Sequence, residues 1–426
     1  MVDTLILPIG LATAGLVAAR LGVLTVAAWQ HATARREQDQ LTLEVMRERI
    51  AEAKKRRTEN SLAWNGYRKF EVDRKVLEAE GICSFYLVAH DRKPLPAFKP
   101  GQYLTFRLSI PGHDKPVIRC YSLSDGPHPS QYRVSIKRVG SPPDAPSAPA
   151  GLASNYFHEQ VSVGDILDIQ APRGHFFLDL EQERPAVLIA GGIGVTPLLS
   201  MVNSIVAMRS HREVLFFYGV RNQTEHAFKG TLEAVSAQHS NIRMVVAYSN
   251  PKPEDEPHEG REYHHTGRVD IQLIKSYLQS TNYQFYICGP PAMMEAINKQ
   301  LLQWGVAEQD IHSEAFGPAT ISKALAKPPV SGSISSKATE DSRASITFAK
   351  SGKTCDWSPS VGNLLDFAEA NGIKIDSGCR AGNCGTCVVA VKSGKIQYVT
   401  EHGAELEVGT CLTCIAAPEG NVVLDA

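Results

Sequence analysis

The 426-residue chain lacks a charge imbalance, because 44 Lys and Arg residues are matched by 45 Asp and Glu residues. A nucleic-acid-binding protein needs a clustered basic face, so this balance gives no electrostatic reason to predict one. The chain also lacks the cysteine density of a disulfide scaffold, with nine cysteines in all. Four of these are scattered singly, at Cys83, Cys120, Cys288 and Cys355. The length suits two or three domains.

The first thirty residues are almost without charge. Between residues 4 and 29 the only charged side chain is Arg20, and this apolar run is long enough to cross a bilayer of about 30 Å. A cleaved secretory signal would start with basic residues, which are missing, and a buried soluble hairpin is the other alternative. Basic residues at 35–36 and 54–57 follow the run. The sequence therefore predicts a single transmembrane anchor over residues 1–30, with the N-terminus outside and the bulk of the chain in the cytoplasm.

Residues 31–63 contain neither glycine nor proline and are rich in charges of both signs. Sparse apolar residues, such as Leu41, Val45 and Ile50, predict an exposed helix with a thin apolar stripe. Such a helical linker could pair with a partner helix or lie along a membrane surface, and a solvated spacer is an equally good interpretation.

From residue 64 the hydrophobic period changes from helical to alternating. Apolar residues alternate over 104–110 and again over 132–136, and turn residues separate these runs. Several short strands in succession predict an antiparallel β-barrel over residues 64–180.

Two fragments inside this barrel carry groups that bind cofactors. Arg119 and Tyr121 in Arg-Cys-Tyr-Ser122 offer a bidentate fork for a phosphate and a flat face for a planar ring. Ser154, in Gly-Leu-Ala-Ser-Asn-Tyr-Phe157, stands where a helix could begin, and its hydroxyl and nearby amides could bind a pyrophosphate. Either fragment alone is weak evidence, because Arg and Tyr commonly alternate on strands.

A second change of pattern occurs at Pro185. The apolar strand at 186–190 runs into Gly-Gly-Ile-Gly-Val-Thr-Pro197 and then into a helix predicted from Leu198. Further strands alternate with helices, which predicts a parallel sheet in an α/β nucleotide-binding domain over residues 181–318. Cys288 falls at the C-terminal end of one predicted strand, where ligands bind in such sheets. By composition alone it is more often a packed small residue.

Two segments are predicted to be irregular connecting segments, one a loop and the other a linker. The polar segment 251–267 holds three histidines without a metal-ligand period, so we interpret it as a loop. Residues 319–343 are rich in Ser, Lys, Ala and Pro and predict a linker.

The cysteines near the C-terminus have a distinctive spacing. Cys379, Cys384 and Cys387 form Cys-x4-Cys-x2-Cys, and both Cys411 and Cys414 follow at a plausible distance for a fourth ligand. This spacing resembles that by which plant-type ferredoxins hold a 2Fe–2S cluster. A zinc knuckle would favour paired Cys-x2-4-Cys hairpins, and a disulfide pair would need an oxidising compartment. The residues around Cys414 resemble the ferredoxin ending, which favours Cys414. This resemblance implies a β-grasp α+β ferredoxin domain over residues 344–426. Within it, residues 344–349 and 354–357 predict a hairpin, and residues 361–371 predict the helix that precedes the cluster loop.

The motifs between residues 64 and 317 resemble, in their order, the ferredoxin-NADP reductase superfamily. These motifs are Arg-x-Tyr-Ser, Gly-x-x-Ser-Asn-Tyr, Gly-Gly-x-Gly-x-Thr-Pro, Cys-Gly-Pro and a final Glu-Ala-Phe. With an appended ferredoxin, the chain is similar to the reductase components of bacterial oxygenases, in the domain order of the phthalate dioxygenase reductase group. That group is soluble, so the predicted anchor is a departure from it.

The resemblance implies a role for each matching residue. Arg119 would bind the flavin phosphate, Tyr121 and Ser122 would contact the isoalloxazine, and Ser154 would bind a pyrophosphate. The nicotinamide nucleotide would be contacted by Gly192, Gly194 and Thr196, with Cys288 near the nicotinamide. Glu314 and Phe316 would close the flavin site. The phthalate reductase group uses FMN, whereas residues 151–158 resemble the FAD-binding stretch of flavohaemoglobins. FAD is therefore predicted.

These expectations combine into one path of electrons. Nicotinamide cofactors give up two electrons as hydride and iron-sulfur centres accept one, so a flavin must lie between them. The expected enzyme is a membrane-anchored NAD(P)H-dependent reductase, with NADH favoured, that passes electrons through FAD and a 2Fe–2S cluster to a metalloenzyme such as an oxygenase or desaturase. A quinone or small oxidant as direct acceptor is one alternative, and a redox-sensing iron-sulfur module is another.

Overall fold

A computed structural model of the chain describes residues 62–141, 147, 149–255, 259–316, 344–358, 361–380, 382, 384–398 and 406–426, and positions 20, 29, 46 and 47. The predictions for residues 1–30, for 31–63 and for the linker 319–343 lie outside the described residues, apart from these isolated positions and residues 62–63. Among the residues that are described, we find no helix with both the length and the apolar character needed to cross a membrane. Trp64–Ala426 form one compact unit.

The first part of this unit is the predicted antiparallel barrel. Its elements are β1 (Arg68–Ala79), β2 (Ile82–Ala89), β3 (Tyr103–Leu108), β4 (Val117–Ser122), β5 (Tyr132–Lys137), α1 (Leu152–Glu159) and β6 (Ile166–Ile169). The strands pair antiparallel in the order β4-β3-β6-β1-β2-β5. A bridge between Leu123 and Val134 joins the two outer strands and closes the barrel. Phe157 of α1 packs edge-on against Phe85 and Phe106 in the core, with ring centroids 5.1 and 5.4 Å apart.

The second part is a parallel sheet with helices, which confirms the predicted α/β domain. Its elements are β7 (Ala186–Gly191), α2 (Val195–Ala207), β8 (Val214–Val220), α3 (Lys229–Gln238), β9 (Ile242–Tyr248), β10 (His265–Thr266), α4 (Ile271–Tyr277), β11 (Gln284–Cys288), α5 (Pro291–Trp304) and β12 (Ile311–Glu314). The strand order is β10-β9-β8-β7-β11-β12. Chain order reverses between β7 and β11, and ligands bind at such a switch point, beyond the carboxyl ends of the strands. Helix α2 begins three residues before the predicted Leu198.

The interpretation of residues 251–267 as a plain loop is wrong in part. Its end forms β10, which pairs in parallel with β9. Tyr263 is 1% exposed and its ring stacks on Tyr248, with centroids 4.4 Å apart. His264 Nδ1 accepts a hydrogen bond from the Val246 amide at 3.1 Å. The polar composition of the segment concealed one aromatic residue whose burial packs the segment against the sheet.

The third part is a small mixed sheet with one helix among its described residues. Its elements are β13 (Ser345–Phe348), β14 (Lys353–Asp356), α6 (Leu364–Ala370), β15 (Val388–Ser393), β16 (Ile396–Tyr398), β17 (Thr410–Leu412), β18 (Ala416–Pro418) and β19 (Val422–Leu424). The main sheet has the order β14-β13-β19-β15-β17, and the predicted β13–β14 hairpin is confirmed. Helix α6 begins later than the predicted residue 361, because Asn363 caps it by accepting a hydrogen bond from the Asp366 amide.

Candidate flavin, nucleotide and iron-sulfur sites

A cavity of about 470 Å³ lies where the three parts of the compact unit meet. Small-molecule sites typically enclose about 300–1,000 Å³, so a cavity of this size can hold a large part of a cofactor. The wall is made by Tyr103, Lys115, Pro116, Val117, Ile118, Arg119, Cys120, Ser122 and Leu152 of the barrel, by Glu314, Ala315 and Phe316, and by Ser377, Gly378, Cys379 and Arg380 of the cysteine-rich loop. Five residues assigned to flavin or cluster binding thus share one wall: Arg119, Ser122, Glu314, Phe316 and Cys379.

Strand β4 supplies the barrel side of this wall. Arg119 Nη1 donates to the Ile118 carbonyl at 2.7 Å and to the Gly378 carbonyl of the cysteine-rich loop at 3.3 Å. Both partners are neutral carbonyls, so these two hydrogen bonds leave the guanidinium available to pair with a phosphate group. Ser122 is 6% exposed, and its hydroxyl donates to Glu314 Oε2 at 3.5 Å. These polar groups fit the phosphate and ring edge of a flavin.

Tyr121 is partly buried within the barrel. Its ring makes edge-to-face contacts with Phe106 and Phe157 in the barrel, at centroid distances of 5.6 and 5.3 Å. Burial raises the pKa of its hydroxyl above the ordinary range. Among the described residues, the tyrosine on the cavity wall is Tyr103. The isoalloxazine contact of Tyr121 stays a prediction.

Tyr103 is a wall residue that the sequence reasoning missed. It is 3% exposed, and its hydroxyl finds no hydrogen-bond partner within the described part of the chain. It pairs with Ser122 on the adjacent strand β4, and facing residues in an antiparallel pair point to the same side of a sheet. Strand register was the signal that could have placed it beside the Arg-x-Tyr-Ser motif.

Ser154 is engaged within the barrel. Its hydroxyl donates to the Gly151 carbonyl at 3.0 Å and accepts from the Val139 amide at 3.2 Å. Asn155 also binds Gly151 and Val139, through their carbonyls. Both side chains fix the start of α1 to the segment after β5. Contact of Ser154 with a pyrophosphate stays a prediction.

The glycine-rich turn after β7 packs directly on the end of β11. A Cβ on Gly194 would lie 2.1 Å from the Cys288 carbonyl oxygen, a distance that no side chain tolerates. Gly192 has φ +54°, and a Cβ there would meet open space. Thr196 is buried, and its hydroxyl donates to the Ile193 carbonyl at 3.1 Å. Gly194 thus permits close packing, and Gly192 leaves room for a ligand at the start of α2.

Cys288 and Glu314 face each other at the ends of adjacent strands. They are paired in the β11–β12 register. Cys288 is completely buried, and this burial, followed by the charge of Glu314, raises the pKa of its thiol. Burial raises the pKa of the half-buried Glu314 carboxyl to about 8, against the opposing hydrogen bond from Ser122. Cys288 lies at the switch point between β7 and β11, and Glu314, on the neighbouring strand β12, lines the flavin cavity.

The cysteine-rich loop groups its thiols into two pairs. The Cys379 amide donates to Cys384 Sγ at 3.2 Å, and the Cys384 amide donates to Cys379 Sγ at 3.3 Å. The Cys387 and Cys414 thiols hydrogen-bond to each other, which lowers the pKa of Cys387. Cys411 is buried on β17 opposite Val389. Four thiols in two pairs fit a cluster with two irons, one pair for each iron.

Backbone geometry allows this loop to turn tightly. Gly382 and Gly385 have φ angles of +74° and +73°, in the region that favours glycine. A Cβ on Gly378 would lie 2.8 Å from Cys384 Sγ and 2.9 Å from the Ile118 Cβ of β4. Gly378 therefore lets the loop pack against its own cysteine and against the flavin cavity at once. Amides directed at the sulfurs stabilise thiolates that bind a metal.

Three family models match successive parts of the chain. An oxidoreductase FAD-binding domain matches residues 71–178, an oxidoreductase NAD-binding domain matches 188–299, and a 2Fe–2S iron-sulfur cluster binding domain matches 346–419. The FAD and nicotinamide cofactors and the 2Fe–2S cluster predicted from the sequence are thereby confirmed, and so is the order of the domains.

A crystal structure of the flavohaem-like FAD/NAD-binding domain of nitric oxide dioxygenase from Vibrio cholerae is 33% identical and superimposes with a TM-score of 0.52. The match covers 60% of this chain and 100% of that one. The chain belongs to the flavohaem-like FAD/NAD-binding reductases. This places the reductase within the ferredoxin-NADP reductase superfamily that the motifs indicated.

Two further relatives describe the extent of the likeness. A flavohemoprotein from Halalkalibacterium halodurans is 41% identical over 258 residues, which cover 60% of this chain and 61% of that protein. The reductase thus spans about three fifths of the length of the curated relatives it matches. Phthalate dioxygenase reductase is 23% identical with a TM-score of 0.51, and the match covers 85% of this chain and 98% of that one. This second likeness shows a shared fold that extends over the ferredoxin domain.

Proposed function

We propose that this reductase passes electrons from a nicotinamide nucleotide, through FAD and the 2Fe–2S cluster, to a partner metalloenzyme such as an oxygenase or desaturase. Bound FAD supplies the conversion of a hydride pair into single electrons, which the cluster requires. The solved phthalate dioxygenase reductase is described as a modular structure for electron transfer from pyridine nucleotides to [2Fe–2S]. The same order of domains supports the same order of steps here.

One observation carries the proposal. Arg119, Ser122 and Glu314, which fit a flavin, line the same cavity as Gly378 and Cys379 of the cluster loop. A flavin bound in this cavity would touch the loop that carries the cluster ligands. No other protein would be needed to carry electrons between the two groups.

Different residues of the chain would bind each of the three cofactors along this path. Gly192 and the start of α2 leave space for the nicotinamide nucleotide at the switch point of the sheet. Arg119 supplies positive charge for a flavin phosphate, and the Ser122 hydroxyl and the Glu314 carboxyl form a polar wall beside it. Cys379, Cys384, Cys387 and Cys414 would hold the cluster. Low exposure of Ser122 and Cys288 keeps water away from the reacting groups.

We propose NADH as the preferred nucleotide. Arg221, at the end of β8, could bind a 2′-phosphate, but an acidic residue stands beside it. Arg221 Nη1 lies 3.6 Å from Glu225 Oε1, and Glu225 also binds Lys137 of the barrel at 2.8 Å. A carboxylate fixed at this position opposes an added phosphate and accepts hydrogen bonds from ribose hydroxyls.

An anaerobic titration tests the path and the nucleotide together. When NADH is added to the oxidised holoprotein, we expect flavin absorbance to bleach and a reduced-cluster signal to follow in electron paramagnetic resonance. A parallel titration with NADPH should require a higher concentration for the same rate. A cluster that stays oxidised while the flavin is fully reduced would contradict the proposed path.

We further propose that residues 1–30 anchor the reductase to a membrane, with the catalytic domains in the cytoplasm and an acceptor at the bilayer. The support is the apolar run interrupted only by Arg20, with basic residues after it. In cells, the full chain should remain with membranes after alkaline carbonate extraction, whereas a chain starting at residue 64 should be released. Release of both chains would exclude the anchor.

A further inference from the structure

The cluster loop is held against the flavin cavity by contacts that cross from one domain to the other. Lys115 Nζ, just before β4, lies 2.5 Å from Asp376 Oδ1, three residues before Cys379. Arg119 Nη1 donates to the Gly378 carbonyl at 3.3 Å. Residues separated by about 260 positions in the chain thus meet at one edge of the cavity.

Strand β4 and the cluster loop pack closely at this edge. Ile118 of β4 fits against Gly378 so closely that a Cβ on Gly378 would lie 2.9 Å from the Ile118 Cβ. The same Cβ would lie 2.8 Å from Cys384 Sγ. A small displacement of the loop would therefore move a cluster ligand relative to the flavin cavity.

We propose that Asp376 and Lys115 are positioning residues for the electron step between the two cofactors. This proposal rests on the proposed function, in which each step removes one electron from the reduced flavin and adds one to the oxidised cluster. The ion pair fixes the distance between the cluster loop and the cavity. Asp376 lies outside the cavity wall, whereas Lys115 forms part of it. Neither residue is assigned a role in hydride transfer.

The ion pair is exposed, so its contribution is modest. The side chains of Lys115 and Asp376 are 61% and 67% exposed, and pairs of this kind are weak in isolation and screened by salt. Reversing one charge replaces attraction by repulsion at the same place. We expect Asp376→Lys to slow cluster reduction about fivefold at low ionic strength, and the difference from the natural protein to shrink in 0.5 M salt.

Three variants separate positioning from a general change of charge. Asp376→Lys reverses one partner, and Lys115→Asp with Asp376→Lys restores an attractive pair in the opposite direction. Asp356→Lys, an exposed carboxylate on β14, is the matched control with the same change of charge. After rapid mixing with NADH, flavin reduction should be unchanged in Asp376→Lys and Asp356→Lys. Cluster reduction should be slow only in Asp376→Lys and should recover in the double variant.

A chemical measurement tests the contact without electron transfer. A zero-length carbodiimide should join Lys115 to Asp376, and mass spectrometry of the digested protein should find the linked peptides. Lys392 and Asp425, which lie 2.8 Å apart within the ferredoxin domain, provide the internal control. The proposal is overturned if Lys392 and Asp425 are linked but Lys115 and Asp376 are not, or if the double variant is as slow as Asp376→Lys.

The proposed function can fail separately from this inference. If the natural protein reduces its flavin but never its cluster, the electron path is wrong. If the natural protein reduces its cluster and Asp376→Lys does so at the same rate at low salt, the path stands and the positioning role is wrong.

Discussion

Replacing Cys384 by Ser is expected to abolish the reduction of cytochrome c by NADH while leaving the reduction of ferricyanide. Cys384 is paired with Cys379 through reciprocal amide-to-sulfur hydrogen bonds, so its loss removes one of the two thiols available to one iron. We expect the cytochrome c rate to fall about 100-fold or more, because a cluster with an incomplete set of thiolates is not retained. Ferricyanide takes electrons from the flavin, whose site does not include Cys384 among its described wall residues.

A matched cysteine provides the control for this experiment. Cys411 is completely buried on β17 and lies three residues before Cys414. Cys411→Ala should keep both activities and the cluster absorbance, with some loss of thermal stability because a packed side chain is shortened. If Cys384→Ser retained full cytochrome c activity, electrons would be leaving directly from the flavin. If Cys411→Ala lost the cluster instead, the fourth ligand would be assigned wrongly.

Replacing Arg119 by Ala is expected to empty the flavin site and leave the cluster in place. A charge-assisted hydrogen bond to a phosphate contributes about 1.5–3 kcal/mol, so flavin should bind about 10- to 100-fold more weakly. The purified variant should lose its flavin absorbance and its ferricyanide activity together. Absorbance of the cluster should persist, because within the described part of the loop Arg119 hydrogen-bonds to the Gly378 carbonyl and not to a sulfur.

Arg107 on the neighbouring strand β3 is the control for Arg119. It is partly exposed and binds Asp168 at 2.8 Å, outside the described cavity wall. Arg107→Ala removes the same charge and a similar volume, so a general effect on barrel stability should appear in both variants. Added FAD should restore activity to Arg119→Ala at high concentration. Equal flavin content in the two variants would remove Arg119 from the flavin site.

The sequence was most informative where chemistry requires short-range spacing. The alternation at 104–110 and 132–136 marked barrel strands, because side chains of a strand point alternately to the two faces. The glycine-rich turn after β7 was recognisable because the close approach of Gly194 to Cys288 excludes any Cβ. The thiols of Cys379 and Cys384 are neighbours because one loop carries both.

Features that depend on contacts between distant segments were out of reach. The cavity combines Tyr103, Glu314 and Gly378, and no period or motif relates these positions. The orientation of Tyr121 towards Phe157 follows from packing of α1 under the barrel. Tyr263 is buried, although the polar composition of its segment, 251–267, had predicted a loop. Each case is decided by tertiary packing, which local sequence patterns do not report.

The raised pKa of Glu314 has a consequence for the charge of the cavity at neutral pH. An ordinary glutamate is an anion at pH 7, but a carboxyl whose pKa is about 8 is mostly protonated there. The end of β12 is then uncharged, and its acidic hydrogen lies beside the hydroxyl of Ser122. A negatively charged nucleotide or flavin phosphate entering this space meets no repulsion from that side. Above about pH 8 the same wall becomes anionic and repels these phosphate groups.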